Sequence, residues 1–176
     1  MSDQTTNGEF ALRRARTSDV RAIRRFVDAY APERILLNKP TVTLFEDVQE
    51  FWVAERASDD GQLVVGCGAL HVMWEDLAEV RTLAVDPAMR GRGVGHLILE
   101  RLLATARELG VRRVFCLTFE VAFFSRHGFI EIDGSPVAPG VFEELLRSYD
   151  EGVAEFLDLE RVKPNTLGNT RMLLHL

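Results

Sequence analysis

A strand that gives way to a glycine-rich loop and then to a helix constrains the fold of this chain most. Residues 83–87 read Leu-Ala-Val-Asp-Pro, residues 90–95 read Arg-Gly-Arg-Gly-Val-Gly, and a helical pattern begins at Val94. Glycine lacks a Cβ, so its backbone adopts positive φ and approaches a ligand closely. The first N–H groups of a helix lack intrahelical partners and, with the helix dipole, attract anions. The segment therefore predicts a backbone site for phosphate or pyrophosphate, to which Arg90 and Arg92 add charge.

Hydrophobic periodicity around this loop predicts one α/β domain with a mixed sheet. A strand, a helix and a second strand of this length imply a parallel crossover, and the other strands fit antiparallel pairing. Residues 1–10 are predicted as a polar tail and residues 11–176 as the domain. The strands are predicted at 11–15, 51–55, 62–72, 79–85, 111–118, 128–132 and 171–175. The helices are predicted from 17 or 18 to before Pro32, and at 43–50, 94–109, 119–127 and 141–149.

Composition excludes several classes of protein. The chain has 176 residues, 47% of them hydrophobic, and no apolar run long enough to span a membrane, so we expect a cytoplasmic protein. A net charge of −6 argues against nucleic-acid binding. Cys67 and Cys116 lie in apolar runs and are predicted to be buried. The four histidines lack metal-ligand spacing, so no metal is predicted.

Charge is unevenly distributed along the chain. Six arginines fall between Arg13 and Arg25, whereas residues 131–160 hold nine acids and one arginine. Two solvated faces are the simpler interpretation. The alternative is that these segments meet, within one subunit or across a homodimer.

The loop also carries a family resemblance. A dinucleotide fold would need G-x-G-x-x-G after the first strand, and a P-loop would need G-K-[ST]. Neither is present. The pattern R-x-x-G-x-G at 90–95, after residues 83–87, resembles the acetyl-CoA pyrophosphate loop of the GNAT acetyltransferases. Residues 117–120 and 123–129, which end in Gly-Phe, are similar to the GNAT segment that packs beside the cofactor. The resemblance covers about residues 11–135 and implies a cofactor cleft between two parallel central strands.

Within that family the chain resembles the N-acetylglutamate synthases, and as a whole their short, kinase-less actinobacterial form. Residues 35–39, followed by the helix predicted at 43–50 and by residues 51–53, are similar to a segment that carries basic substrate-binding residues there. Residues 169–173 are similar to the basic C-terminal strand of those enzymes. Because the chain begins about ten residues before its first predicted strand, we expect no kinase-like domain at which arginine inhibits.

The resemblance implies an acyltransferase enzyme that moves acetyl from acetyl-CoA to the α-amino group of L-glutamate or L-glutamine, the first step of arginine biosynthesis. Transfer is expected to be direct, in a ternary complex, without a metal. Two alternatives stay open. One is a GNAT enzyme for another amine, such as a protein N-terminus, a polyamine or a drug. The other is a catalytically silent acyl-CoA-binding module.

Glu79 is the candidate general base. An α-ammonium must lose a proton before it attacks a thioester. Glu79 lies six residues before Val85, and even spacing places Glu79, Arg81, Leu83 and Val85 on one face if no bulge intervenes. Histone acetyltransferases of the same fold place a glutamate base at the equivalent position. An ion pair between Glu79 and a neighbouring arginine is the alternative.

The remaining candidate residues come mostly from the resemblance. Many GNAT enzymes place a tyrosine acid where this chain has Phe124, so Ser125, Tyr149 or water would substitute, and no acid is assigned. The cofactor is expected to contact Leu83, Ala84, Val85, Arg90, Gly91, Arg92, Gly93, Val94, Gly95 and Phe124. The substrate is expected to contact Lys39 and Arg171 by resemblance, Arg81 by its strand face, and Thr118 as a hydrogen-bond donor. Taken singly, each of these cations is more often a surface charge.

Overall fold

A computed structural model describes the backbone of residues 5–32 and 39–176, with side chains from Gly8 onward. The strands are β1 Thr5–Asn7, β2 Phe10–Arg14, β3 Phe51–Ser58, β4 Gly61–Trp74, β5 Leu77–Val85, β6 Arg113–Thr118, β7 Ile130–Glu131 and β8 Thr170–His175. The helices are α1 Val20–Tyr30, α2 Thr41–Glu46, α3 Val94–Glu108, α4 Val121–Ser125, α5 Pro139–Leu145, α6 Glu151–Phe156 and α7 Lys163–Thr166. Short 3₁₀ turns occupy Thr17–Asp19, Val48–Glu50, Pro87–Met89 and Glu160–Val162. None of these helices is long and apolar enough to cross a membrane.

The chain forms two compact units, and β4 and β5 contribute to both. The N-terminal unit contains the described residues up to 70 together with 80–105, and the C-terminal unit contains 71–79 and 106–176. In the N-terminal unit the strand order is β1-β2-β3-β4-β5, and the β1–β2, β2–β3 and β3–β4 pairs are antiparallel. In the C-terminal unit the order is β5-β6-β8-β7.

The core of the N-terminal unit lies between α1 and the sheet. Val20, Ile23 and Val27 recur at helical spacing on α1 and pack with Phe51 and Cys67 from β3 and β4. Helix α3 also lies close to β4. A Cβ at Gly66 or Gly68 would come within 2.9 or 2.8 Å of Ile98, so only glycine permits this approach. The close packing fixes where α3 begins relative to the end of β5.

The C-terminal unit contains the predicted parallel pair. Leu77, Ala78 and Glu79 pair in parallel with Arg113 to Phe115, and β6 pairs antiparallel with the whole of β8. The core of this unit contains Phe115 and Phe156, whose rings meet edge to face at 5.1 Å. The predicted crossover through α3 into a parallel strand is therefore confirmed.

Thr82 interrupts the alternation of β5. Its φ is +55°, a left-handed conformation that β-branched residues rarely adopt, although the residue is buried within the strand. Every residue from Leu77 to Thr82 is buried, so this stretch shows no period of two. Thr82 is therefore an irregularity of the kind that breaks the regular alternation of side chains along β5. The expectation that Glu79 and Arg81 share a face with Leu83 and Val85 does not hold.

Other differences concern segments with little hydrophobic pattern. The predicted tail contains β1, which pairs with β2, and Phe10 is 5% exposed. The polar sequence of β1 could not indicate a strand that is defined by backbone pairing. Helix α6, absent from the prediction, is a single six-residue segment whose N-terminus is capped by the Asp150 carboxylate, which accepts from the Val153 N–H at 2.9 Å. The stretch at 35–39 that resembles a substrate-binding segment lies outside the described residues except for Lys39.

Candidate active site

The loop before α3 has the backbone that its glycines predict. Gly91 and Gly93 have φ of +76° and +84°, and a Cβ at either position would meet nothing within 4 Å. The glycines are therefore required by conformation and not by packing. The Leu97 N–H donates to the Gly93 carbonyl at 3.0 Å, at the start of the helix. The N–H groups of the first turn of α3 consequently face the loop without intrahelical acceptors, an arrangement suited to an anion.

The two loop arginines have different surroundings. Arg90 Nε donates to the Tyr30 hydroxyl at 3.1 Å, and the Arg90 guanidinium lies 4.9 Å from the centre of the Tyr30 ring. Arg92 Nη2 lies 2.5 Å from the Glu9 carboxylate, and both side chains are about two-fifths exposed. Arg90 is thus directed by a neutral hydroxyl, whereas the charge of Arg92 is partly balanced by Glu9. An exposed pair of this kind contributes little stability, on the order of 0–1 kcal/mol.

The end of β5 is anchored by hydrogen bonds to its backbone. The Val85 carbonyl accepts from the Tyr30 hydroxyl at 2.5 Å, and the Asp86 N–H donates to the Val65 carbonyl at 2.8 Å. The Asp86 carboxylate then accepts from the Ala88 N–H at 2.9 Å, which caps the 3₁₀ turn at Pro87–Met89. The strand therefore reaches the loop with a fixed direction.

Glu79 lies in the C-terminal unit, opposite Phe115 in the parallel register, and is 4% exposed. Its charge reaches two neighbours. Burial, and secondarily the Glu79 carboxylate, raise the pKa of the Cys116 thiol well above its ordinary value. Glu79 also acts on Arg171, whose pKa is lowered by burial and held up by the charges of Asp158 and Glu79. Glu79 is therefore a buried acidic residue whose charge acts on both Cys116 and Arg171.

Arg171 on β8 is bound mainly to backbone carbonyls. Nε and Nη2 donate to the Gly134 carbonyl at 3.2 and 2.9 Å, Nη1 donates to Glu155 at 2.8 Å, and Nη2 donates to Phe156 at 2.5 Å. The guanidinium also lies 5.1 Å from the centre of the Phe115 ring. An arginine has five N–H donors, and these bonds use four of them. One Nη1 hydrogen is not used by these bonds.

Thr118 and Phe124 complete the predicted residues of the C-terminal unit. Thr118 is 8% exposed, and its hydroxyl oxygen accepts from the Glu120 N–H at 2.8 Å, so its proton can still be donated. Phe124 is 6% exposed and packs edge to face with Phe123 and Phe129, each at 5.2 Å between ring centres. This aromatic cluster supplies a hydrocarbon surface and no proton.

The remaining predicted cations belong to the N-terminal unit. Arg81 is 8% exposed, which is rare for an arginine and argues against the alternative of a surface charge. Lys39 is half-buried, and its backbone carbonyl accepts a hydrogen bond from the Arg24 guanidinium. Arg24 also pairs with Asp28 at 3.0 Å on α1. The segment that carries Lys39 is therefore tied to α1.

Sequence reasoning missed Tyr30, which lies within the helix predicted to end before Pro32. The available signal was the hydroxyl group itself. A tyrosine in a buried helical stripe needs a hydrogen-bond partner, and residues near a proposed ligand loop are candidates for that partner. Glu9 was missed as well, because it lies in the predicted tail and pairs with Arg92 far along the chain.

Comparisons with known proteins agree with this geometry. The acetyltransferase (GNAT) family model matches residues 18–129. A Mycobacterium tuberculosis protein named amino-acid acetyltransferase is 62% identical over 174 residues, which cover 99% of both chains. A Shewanella oneidensis amino-acid acetyltransferase is 35% identical over 71% of this chain, which spans only 28% of that relative.

Solved structures lead to the same family. A Mycobacterium tuberculosis protein crystallised with CoA and the ligand NLQ superposes with a TM-score of 0.89 at 65% identity, covering 94% of this chain and 98% of that one. N-acetylglutamate synthase from Neisseria gonorrhoeae, with CoA and N-acetyl-glutamate, has a TM-score of 0.74 at 21% identity, over 98% of this chain and 36% of that one, and supports the fold alone. The predicted fold and acyltransferase class are confirmed. The chain belongs to the GNAT family of acetyltransferases.

Proposed function

We propose that this acetyltransferase transfers the acetyl group of acetyl-CoA to the α-amino group of L-glutamate or L-glutamine, as the first step of arginine biosynthesis. The observation that carries the proposal is the 62% identity, over 99% of both chains, to a protein named amino-acid acetyltransferase. The CoA complex of the Mycobacterium tuberculosis structure supports the choice of donor. Arg81, which is buried, and Arg171, which is partly buried, supply positive charge for a substrate that carries carboxylates.

The donor binds at the strand end and loop of the N-terminal unit. Backbone groups of Leu83 to Val85 pair with the pantetheine arm, and the first-turn N–H groups of α3 receive the pyrophosphate. Positive φ at Gly91 and Gly93 lets the backbone of the loop approach the phosphates. The Arg90 guanidinium adds a cation to this cradle.

Glu79 removes the proton from the substrate ammonium, directly or through one water molecule. The free amine then attacks the thioester carbon, the C–N bond forms, and the C–S bond breaks to release the CoA thiolate. A thiol with a pKa of about 8.5 leaves tolerably as thiolate, so the absence of a tyrosine at Phe124 is compatible with turnover. The thiolate takes its proton from water or from the attacking nitrogen, which becomes positively charged when the C–N bond forms.

Several side chains together bind the substrate carboxylates. Lys39 and Arg81 offer positive charge, and Thr118 offers a hydroxyl hydrogen. Arg171 contributes its remaining Nη1 hydrogen, since its other donors are bound to carbonyls. Glutamate and glutamine differ only at the end of the side chain, so both fit this description.

The test is release of thiol from acetyl-CoA with glutamate, glutamine and a panel of other amines, for the wild type, Glu79→Gln and Glu75→Gln. We expect saturable turnover with glutamate or glutamine and a loss of about 100-fold or more in Glu79→Gln, the usual effect of removing a general base. Glu75 is exposed in the turn before β5 and serves as the matched control. Full activity of Glu79→Gln would show that Glu79 is not the general base. Reaction with other amines alone would contradict the proposed substrate. CoA binding without any turnover would favour the silent module.

A further inference from the structure

The Tyr30 hydroxyl links the end of β5 to the loop before α3. Tyr30 is the last residue of α1 and is 5% exposed. A buried phenol hydroxyl requires partners, and here it donates to the Val85 carbonyl at 2.5 Å and accepts from Arg90 Nε at 3.1 Å. Hydrogen bonds in such a chain strengthen one another. One side chain thus bonds simultaneously to the strand end and to the first residue of the loop.

The strand end is held from two sides. The peptide group between Val85 and Asp86 has its carbonyl bound by Tyr30 and its N–H bound by the Val65 carbonyl at 2.8 Å. Loss of the Tyr30 hydroxyl would leave the Val65 bond in place. The strand is consequently less dependent on Tyr30 than Arg90 is.

Arg90 is held by one edge and by one face. Its Nε is bound to the Tyr30 hydroxyl, and its guanidinium lies 4.9 Å from the ring centre. Within the described part of the chain, its Nη1 and Nη2 atoms have no hydrogen-bond or ion-pair partner. Fixing a long, exposed side chain in advance lowers the entropy cost of binding. The terminal nitrogens of Arg90 are therefore preorganised to bind an anion.

We propose that Tyr30 is a positioning residue for the pyrophosphate group of the acyl-CoA donor. It holds Arg90 in the binding conformation and does not itself contact the donor. The inference rests on the proposed function, because it takes the loop at 90–95 as the CoA site. It predicts that Tyr30 matters for donors that contain the pyrophosphate and not for donors that lack it.

The first experiment measures the Kd of CoA by calorimetry and the KM of acetyl-CoA and of S-acetylpantetheine, which lacks the pyrophosphate, for Tyr30→Phe. We expect CoA to bind about 5- to 30-fold more weakly, since a hydrogen bond to a charged group is lost while the ring remains. The KM of S-acetylpantetheine should change by less than about twofold. Ser58→Ala is the control, because it removes a hydroxyl that donates to a carbonyl at 2.9 Å in the β3–β4 turn of the same unit.

The second experiment is a double-mutant cycle with Arg90→Gln. If Tyr30 acts through Arg90, adding Tyr30→Phe to Arg90→Gln should weaken CoA binding by less than about threefold. Any of three results would overturn the inference. Tyr30→Phe could weaken CoA binding as much in the Arg90→Gln background as in the wild type, it could raise the KM of S-acetylpantetheine as much as that of acetyl-CoA, or it could leave the Kd of CoA unchanged. A wild type that binds CoA while Tyr30→Phe binds equally well contradicts only the role of Tyr30. A wild type that fails to bind CoA contradicts the proposed function as well.

Discussion

The loop before α3 and the Arg171 cluster, which comprises Arg171, Phe115, Gly134, Glu155 and Phe156, use opposite means to prepare a site. The loop offers backbone N–H groups, and its glycines lie in sequence immediately before the helix α3. In the Arg171 cluster, one charged side chain donates hydrogen bonds to backbone carbonyls from distant segments of the chain. A backbone site therefore leaves a local pattern in the sequence, whereas a cluster assembled by one side chain does not.

The largest expected effect is that of Arg171→Ala on stability. Removing the guanidinium takes a donor away from three backbone carbonyls, although Phe156 keeps its bond from the Ser135 hydroxyl and Glu155 keeps its bond from the Asp158 N–H. The packing on Phe115 is lost as well, so we expect a loss of about 2 kcal/mol or more in the free energy of unfolding. Urea denaturation followed by circular dichroism measures it. Arg147→Ala is the control, since Arg147 is 77% exposed and pairs only with Glu144, and it should cost under about 0.5 kcal/mol.

Arg171→Lys sharpens this result, because lysine keeps the charge but cannot bind three carbonyls in the same plane. Arg171→Lys should recover only a small part of the stability that Arg171→Ala loses. If Arg171→Ala unfolds like the wild type while the KM for the amino acid rises, Arg171 serves the substrate and the structural interpretation is wrong.

A smaller effect is expected at Gly93, and it concerns ligand binding. Alanine at φ of +84° costs about 1–2 kcal/mol, and its Cβ would meet no atom within 4 Å. The loop can relieve the strain by changing conformation, so we expect Gly93→Ala to weaken CoA binding about tenfold or more. Gly110→Ala is a close match, with φ of +83° and equally open space at the end of α3. It should lose similar stability with unchanged CoA binding, and equal weakening in both variants would contradict a role for the loop backbone.

The same contrast explains how far the sequence predicts this molecule. Periodicity located most of the regular elements and the parallel crossover, and R-x-x-G-x-G located the loop, because each depends on neighbouring residues. The irregularity at Thr82 has no local signal, since threonine is an ordinary strand residue and the φ of +55° is imposed by its surroundings. The partners of Tyr30 and Arg171 are likewise fixed only when distant segments meet. Contacts of this kind belong to tertiary structure, and one sequence cannot specify them by pattern.

The smallest expected effect compares the buried thiols of the two units. Burial raises the pKa of Cys67, in the N-terminal unit, to about 12. The folded state then retains a proton that the unfolded state releases above a pKa of about 8.5–9, so stability decreases as the pH rises through this range. The contribution of Cys67 at pH 10 is on the order of 1 kcal/mol.

Urea denaturation of the wild type and of Cys67→Ala at pH 7.5 and pH 10 measures this contribution, since the difference between the two proteins should shrink at the higher pH. Cys116→Ala is the matched variant in the C-terminal unit, where burial and the charge of Glu79 act in the same direction. The mutation itself costs packing at both pH values, and that cost cancels in the comparison. A difference that is independent of pH for both cysteines would show that neither thiol is protected by the fold. A pH dependence confined to Cys67 would show that the fold protects the Cys67 thiol and not the Cys116 thiol.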